Sequence, residues 1–382
     1  MTVVRVPLGD IADFVNGVAF KPSDWQESGR RIVRIQNLTN PTKPFNRTNR
    51  MVDKRFEVVP GDVLVSWSAT LGVFAWEGPD TALVNQHIFR VVPDLARVDR
   101  SYLRHMLAGA LVEVERHLHG ATMKHVNRRE FLATAIPLPS LAEQKRISQV
   151  LDAADALRAK SREALAQLDM LVQSTFLDVF GDPAANPEGW SECAIGDTTT
   201  KCQAWNPRKH GKGMLEYIDL SSIDKESKEI ISTEEHRCAE APSRARQLVE
   251  TGDVLVATVR PNLNGVALIG DEHDGLTAST GYCVLRPNRG VLESAYLFHW
   301  VRSDVFVQRM VDVATGANYP AVSDAKVRAS SMPLPPLDVQ RRFATIVESV
   351  ERQKALQRAH LAELDTLFAS LQQRAFNGEL SA

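Results

Sequence analysis

No stretch of the sequence approaches the roughly 18 to 20 uninterrupted apolar residues that a membrane-spanning helix requires. Met1 to Asp10 holds no charged segment followed by an apolar run, as a secretory signal would, so the cytoplasm is the expected compartment. Cysteine is scarce. Cys193, Cys202, Cys238 and Cys283 are scattered without a CxxC pair, so neither a disulfide framework nor a zinc site is signalled, and reduced thiols are expected. A nucleotide-driven motor needs a Gly-rich phosphate cradle ending in Gly-Lys-Ser/Thr, and Gly211-Lys-Gly-Met is not one. The Asn-Pro-Pro-aromatic loop of an adenine-modifying enzyme is also missing; Asn40-Pro-Thr and Asn186-Pro-Glu are turn dipeptides. No charge of one sign dominates either, with 45 Lys+Arg against 47 Asp+Glu.

What is present is an ordinary, core-forming composition, 44% hydrophobic over 382 residues, long enough for two or three domains. Divided by segment, the formal charge is +4 for residues 1–140, −2 for 141–185, −4 for 186–336 and 0 for 337–382. A nucleic-acid-binding face is normally basic, because neutralising phosphates releases counterions. Only the first segment leans that way, so a DNA-binding role would need a partner to supply much of the phosphate grip.

The chain is a tandem repeat. Pro137-Leu-Pro-Ser-Leu-Ala-Glu-Gln-Lys-Arg-Ile147 returns as Pro333-Leu-Pro-Pro-Leu-Asp-Val-Gln-Arg-Arg-Phe343, an offset of 196 residues, and Gly61-Asp-Val-Leu-Val65 returns as Gly252-Asp-Val-Leu-Val256, an offset of 191. Ser101-Tyr-Leu103 matches Ala295-Tyr-Leu297, and Leu8-Gly-Asp10 matches Ile195-Gly-Asp197. Each copy opens with short strands punctuated by turn residues, expected at 31–38, 63–67 and 88–92, then at 215–220, 254–259 and 282–286. Helices are expected at 102–117 and 295–313. The fold class is mixed α/β (α+β) with a substantial antiparallel share, because helix and strand do not alternate regularly enough for a doubly wound sheet.

Each copy then ends in a long helix. A 3-4 alternation runs through Ile147, Val150, Ala154, Leu157, Ser161, Ala164, Leu168, Leu171 and Thr175, and adding 196 preserves it from Phe343 to Leu371. Gln353, Gln357 and His360 are the polar misfits of the second seam. Ser140 and Glu143 have capping-box spacing at the first helix's start. Each helix is expected to run for about 36 to 40 residues, about 55 Å at 1.5 Å per residue. So long a helix with one apolar seam must bury it, and the shared phase favours an antiparallel pair, since the intervening domain must bring the chain back.

The Pro-Leu-Pro stretch leading into a long helix, its second copy near the C-terminus, and the join Phe180-Gly-Asp-Pro-Ala-Ala-Asn-Pro-Glu-Gly-Trp190 together resemble the specificity subunits of type I restriction-modification enzymes. The likeness extends over the whole chain in order. It implies two target recognition domains at 1–140 and 186–336, a central conserved helix and linker at 141–185 and a distal conserved helix at 337–382. It further implies an antiparallel coiled coil that spaces two readers of a bipartite double-stranded DNA site and docks two methyltransferase subunits, with restriction subunits completing the complex. The chain itself is then expected to have no catalytic residues, no cofactor and no metal. Two rigid readers at a fixed separation select half-sites at a defined spacing.

Base reading needs bidentate or adaptable polar side chains. Such residues follow the repeated Gly-Asp-Val-Leu-Val strand, as Ser66, Ser68 and Thr70 and then Thr258, Arg260 and Asn262. They recur as Asn85, Gln86 and His87, matched by Ser279 and Thr280, and before the Pro-Leu-Pro boundaries as Thr122, Lys124, His125, Asn127 and Arg128, then Asn318, Tyr319 and Ser323. Lys43, Arg47 and Arg50 are candidate phosphate contacts on charge. By resemblance, Gln144, Lys145 and Arg146 with Gln340, Arg341 and Arg342 mark the docking surface for methyltransferase partners.

Two other readings compete. A single-chain metal-dependent endonuclease could use Asp219 with Glu226-Ser-Lys228, but that spacing is expected by chance in so charged a segment, and no such set recurs in both copies. His117, His119 and His125 have no acidic or Cys partner at a ligand interval. A purely protein-binding coiled-coil adaptor would show no sequence preference on DNA.

Overall fold

In the computed structural model, residues 4–40, 42–116, 127–316 and 318–380 are described. The chain divides into two compact units, Met1–Glu163 with Arg358–Ala382, and Ala164–Gln357. Each is built on the same plan.

In the first unit, strands Ala12–Asn16, Ile88–Pro93, Val63–Ser66 and Gly72–Ala75 lie side by side in that order, all antiparallel. The run Val63-Leu64-Val65 is apolar at every position because both faces are covered. Val63 and Val65 pack with Phe14, Phe89 and Val91 onto Tyr102, Leu103 and Met106 of helix Arg100–Arg116. Leu64 and Ile88, on the opposite face, pack with Val33, Trp76 and Val84. That second cluster belongs to a sheet ordered Asn46–Thr48, Arg30–Val33, Ala82–Val84, Glu57–Val58, whose middle pair is parallel. Arg5–Pro7 pairs with Ala135–Pro137 and so ties the start of the domain to its end.

The second unit repeats this as Thr199–Thr200, Tyr282–Pro287, Val254–Ala257 and Val266–Leu268. Its other sheet runs Gln203–Ala204, Ala245–Leu248, Thr277–Ser279, Met214–Ile218, Glu234–Arg237, again with one parallel pair, and Glu192–Ala194 pairs with Ser331–Pro333. Val254, Val256, Cys283 and Leu285 pack on Tyr296, Leu297 and Trp300. Burial pushes the Cys283 thiol up to about 12, so it is an inert core group. All four cysteines are free.

Equivalent hydrogen bonds hold both units. Tyr102 donates its hydroxyl to the Pro137 carbonyl at 2.7 Å, and Tyr296 donates to Pro333 at 2.6 Å. The left-handed glycines Gly61 and Gly252 turn the chain into the repeated strand. The next residues, Asp62 and Asp253, accept from Arg90 and Arg286 at 2.9 Å each.

Two expected elements differ. The strand expected at 31–38 stops at Val33 and becomes a short helix, Ile35–Thr39, whose start is capped by the Asn37 side chain accepting the Arg34 N–H. The helix expected at 295–313 is two, Ser294–Arg302 and Asp304–Val313, because extended Ser303 breaks the first and its hydroxyl caps the second.

The long helices are Leu141–Phe180 and Leu337–Asn377. The Ser140 hydroxyl accepts the Glu143 N–H at 3.3 Å, as in the expected box, and the Glu143 carboxylate also holds Arg146. In the first unit, Arg158 meets Asp365 and stacks on Phe368, and Arg146 donates to the Leu380 carbonyl, so early residues of one helix meet late residues of the other. In the second unit, Phe343 packs on Phe176 and Phe180, and Lys354 meets Asp169. The pairing is antiparallel in both.

The buried seam keeps much of the expected row and replaces three positions in the first helix. Ile147, Ala154 and Ser161 are inside, but Val150, Leu157 and Leu171 are 39%, 52% and 48% exposed. Leu151, Arg158 and Val172 take their places. The second helix makes the same substitution at the same offset, with Val347, Lys354 and Phe368 turned in and Ile346 and Leu367 turned out. A basic residue sits inside the seam because it is ion-paired. Arg158 bridges Asp155 at 2.8 Å and Asp365 at 2.5 Å, and Lys354 bridges Glu351 at 2.8 Å and Asp169 at 2.7 Å. Burial alone would lower the Lys354 pKa, yet its hydrogen bonds to Asp169 and Glu351 outweigh that and hold it above its ordinary value.

Candidate nucleic-acid interface

In the second unit the candidate base-contacting residues converge. The strand Val254–Ala257 runs into Thr258, whose N–H and hydroxyl both donate to the Gly281 carbonyl at 2.8 Å, which places Thr280 beside it. Thr315 and Ala321 exchange two backbone hydrogen bonds of 2.9 Å, forming a tight loop with Asn318 and Tyr319 near its tip. The returning arm of that loop bonds to the strand end, with Arg260 N–H donating to the Pro320 carbonyl at 2.7 Å and Val322 N–H to Thr258. Arg260, Asn262, Thr280, Asn318 and Tyr319 are all exposed, and the Arg260 guanidinium lies 4.6 Å from the centre of the Tyr319 ring. Thr258 and Ser279 are buried in the turns that present them.

The first unit forms the matching corner from Ser66–Thr70 and Asn85–His87, joined where Trp67 N–H donates to the His87 carbonyl. Ser66, Ser68 and Asn85 are buried there, and the Ser66 hydroxyl donates to the Thr70 carbonyl at 2.5 Å. They shape the turn rather than face outward. Thr70 is exposed, and Gln86 and His87 are partly exposed. Gln86 Oε1 and His87 Nδ1 are buried atoms with no hydrogen-bond partner. Unpaired buried polar atoms are costly, so this corner carries unsatisfied hydrogen-bonding capacity. Trp67, read only as a strand end from sequence, stacks on Phe89 with ring centres 5.6 Å apart and donates to Asn16 at 3.2 Å. Its aromatic character between two serines was the available signal.

Asn127 is exposed and caps helix Arg128–Ala133 by accepting the Arg129 N–H, and Arg128 donates to the Phe14 carbonyl. Thr122, Lys124 and His125, like His117 and His119, lie outside the described residues. Lys43 is exposed, whereas Arg47 donates to the Gly29 carbonyl and Arg50 to Ala19 and Asp24.

The residues expected to dock partners separate into two kinds. Gln144 and Gln340 are fully buried. Gln144 accepts the Asp99 N–H at 2.8 Å and donates to the Arg97 and Pro139 carbonyls; Gln340 accepts the Glu293 N–H at 2.9 Å and donates to Val291 and Pro335. With every polar atom committed, these glutamines clamp each helix start to its own domain. Lys145, Arg146, Arg341 and Arg342 are exposed beside them.

The candidate nuclease set does not form a site. Asp219 accepts the Tyr217 hydroxyl at 3.1 Å, Glu226 is exposed, and Lys228 donates to the Asn264 carbonyl at 2.7 Å. Among the described residues no group of three His, Cys, Asp or Glu side chains is placed to hold a metal ion, and no helix is long and apolar enough to cross a membrane.

A duplicated α+β unit, a paired helix drawn from each copy and a polar turn corner on each unit define a protein with two similar recognition units. The family model for the type I restriction modification DNA specificity domain matches residues 2–168 and 242–366, and the chain belongs to that family. The type I restriction enzyme EcoBI specificity subunit of Escherichia coli is 23% identical over 99% of this chain and 86% of its own length. The StySPI specificity subunit of Salmonella potsdam is 21% identical over 98% and 89%. A crystal structure of the type I restriction-modification S subunit from M. genitalium, 14% identical, covers 98% of this chain and 96% of its own with a TM-score of 0.55, and so shares the fold.

Proposed function

We propose that this chain is the specificity subunit of a type I restriction-modification complex. It reads a bipartite, asymmetric double-stranded DNA site, one half-site per unit, and lends that address to two methyltransferase subunits and to restriction subunits that carry out the chemistry. It contributes no catalytic residue and no cofactor of its own, and it works in the cytoplasm. The recognition domains are residues 1–140 and 186–336, and the helical segments 141–185 and 337–382 join and space them.

Base and backbone contacts fall to Thr70, Gln86, His87, Thr122, Lys124 and Asn127 in the first domain, and to Arg260, Asn262, Thr280, Asn318 and Tyr319 in the second. Buried Ser66, Ser68, Asn85 and Thr258 hold the turns. The observation that carries this reading is that two polar turns, distant in sequence, meet at the same edge of the repeated sheet in both units. The site is asymmetric because the exposed residues of the two corners differ in kind.

Each unit offers its own methyltransferase docking surface, Lys145 and Arg146 with outward apolar Val150 and Leu157 in the first, and Arg341 and Arg342 with outward apolar Ile346 in the second. Apolar side chains exposed at helical spacing beside a filled seam are the ordinary mark of a further helix-packing surface. The test is a genome-wide map of modified adenines in cells with and without this chain. One interrupted, asymmetric motif should vanish when the chain is absent; an unchanged map would refute the reading.

A further inference from the structure

The second unit carries one side chain whose placement goes beyond a polar loop. Arg260 has a left-handed backbone, φ 51° and ψ 61°, a conformation that a branched or long side chain adopts only where the surroundings impose it. The turn that follows, Pro261–Leu263, ends in a second left-handed residue, Asn264, whose side chain donates to the Arg302 carbonyl at 3.0 Å and whose own carbonyl takes Lys228. The loop is therefore anchored at both ends.

Neither the turn nor the fold needs arginine at this position. Ala69 occupies the equivalent seat in the first unit, 191 residues earlier, with φ 60° and only a methyl group. The guanidinium makes no ion pair or hydrogen bond among the described residues, whereas Arg286 and Arg328 of the same unit are tied to carboxylates, a hydroxyl or carbonyls. Its one fixed partner is the Tyr319 ring, itself 67% exposed. Tyr319 is delivered by a tight turn in which a Cβ at Gly316, φ +106°, would meet the Tyr319 carbonyl at 2.9 Å.

A phosphate can be held by any mobile cation. A planar fork pinned against an aromatic face and directed outward from a rigid loop suits instead a pair of acceptors at fixed spacing. In duplex DNA that pair is O6 and N7 of guanine, the partners of a bidentate arginine in the major groove. We infer that Arg260 reads a guanine in the half-site bound by the second unit, with Tyr319 as its positioning residue. This rests on the specificity-subunit reading above.

The test maps methylated sites made by the full chain assembled with its methyltransferase subunits, for wild type, Arg260→Gly, Arg260→Lys, Tyr319→Ala and Tyr319→Phe. Glycine suits the left-handed backbone, so Arg260→Gly keeps the fold. Both Arg260 variants should lose discrimination at one G·C pair of one half-site, by roughly 10- to 100-fold, with the other half-site unchanged. Tyr319→Ala should weaken the same position, and Tyr319→Phe should leave it intact. Unaltered preference in Arg260→Lys, loss at an A·T pair, or an equal drop at every position, as a phosphate contact would give, would overturn the inference alone. A wild-type complex that methylates without sequence preference would overturn the function and the inference together.

Discussion

In the first unit, the strand pair Arg30–Val33 and Asn46–Thr48 carries Arg30, Arg31 and Arg47; in the second, the matching pair Met214–Ile218 and Glu234–Arg237 carries Glu216, Glu234 and Glu235, with Glu216 directly opposite Glu235. At the equivalent turn corners, the first unit presents Trp67, Gln86 and His87, and the second Arg260 against Tyr319. Underneath, the two are the same molecule twice. The tyrosine to Pro-Leu-Pro carbonyl bond, the Asp-Arg pair after the turn glycine, the buried glutamine clamp and the ion-paired base in the helix seam all recur. These buried polar supports hold the fold and are shared by both units, while the exposed residues around them differ. The charge of the strand pair is thus reversed at equal architecture.

The comparison can be broken first at the glutamine clamps. Gln144→Ala and Gln340→Ala each orphan a buried N–H and two carbonyls, and each should cost about 2 to 4 kcal/mol of stability by denaturant unfolding. Costs that differ by more than about 1 kcal/mol would show that the two helix starts are not equivalent supports.

A smaller effect separates the units by pH. Burial among Phe176, Phe298 and Phe343, with Arg302 and Lys354 nearby, pushes His299 down to about 3. Its unfolded pKa is about 6.5, so below that pH the unfolded chain binds the extra proton and the second unit loses stability as pH falls. With these two values the loss is about 2 kcal/mol at pH 5. In the first unit burial also lowers His105, but its hydrogen bond to Asp152 works against the shift. His299→Leu should flatten the acid dependence of the second unit's unfolding more than His105→Leu does that of the first; equal slopes would contradict the assignment.

Much of this architecture was legible in the sequence. The repeat, the two helices and their antiparallel sense follow from the duplicated motif and its phase. The seam was partly misread because apolarity selected Val150, Leu157 and Leu171, whereas the true row contains Arg158 and Lys354, which enter the interior only with Asp365 and Asp169 as partners. The corners were named as separate loops. Their meeting depends on pairing between residues about 20 to 60 positions apart, such as Trp67 with His87 and Val259 with Ala321, and no local pattern encodes it. Burial of Ser66, Asn85 and Thr258 was hidden for the same reason: a turn serine looks alike whether it faces DNA or its own backbone.

The central claim is that each unit reads its half-site independently. Its most direct test is the methylation map of the full complex carrying Gln86→Ala and His87→Ala. The account predicts altered bases in one half-site, with the other half and the spacer preserved. Changes in both halves, or in neither, would contradict it.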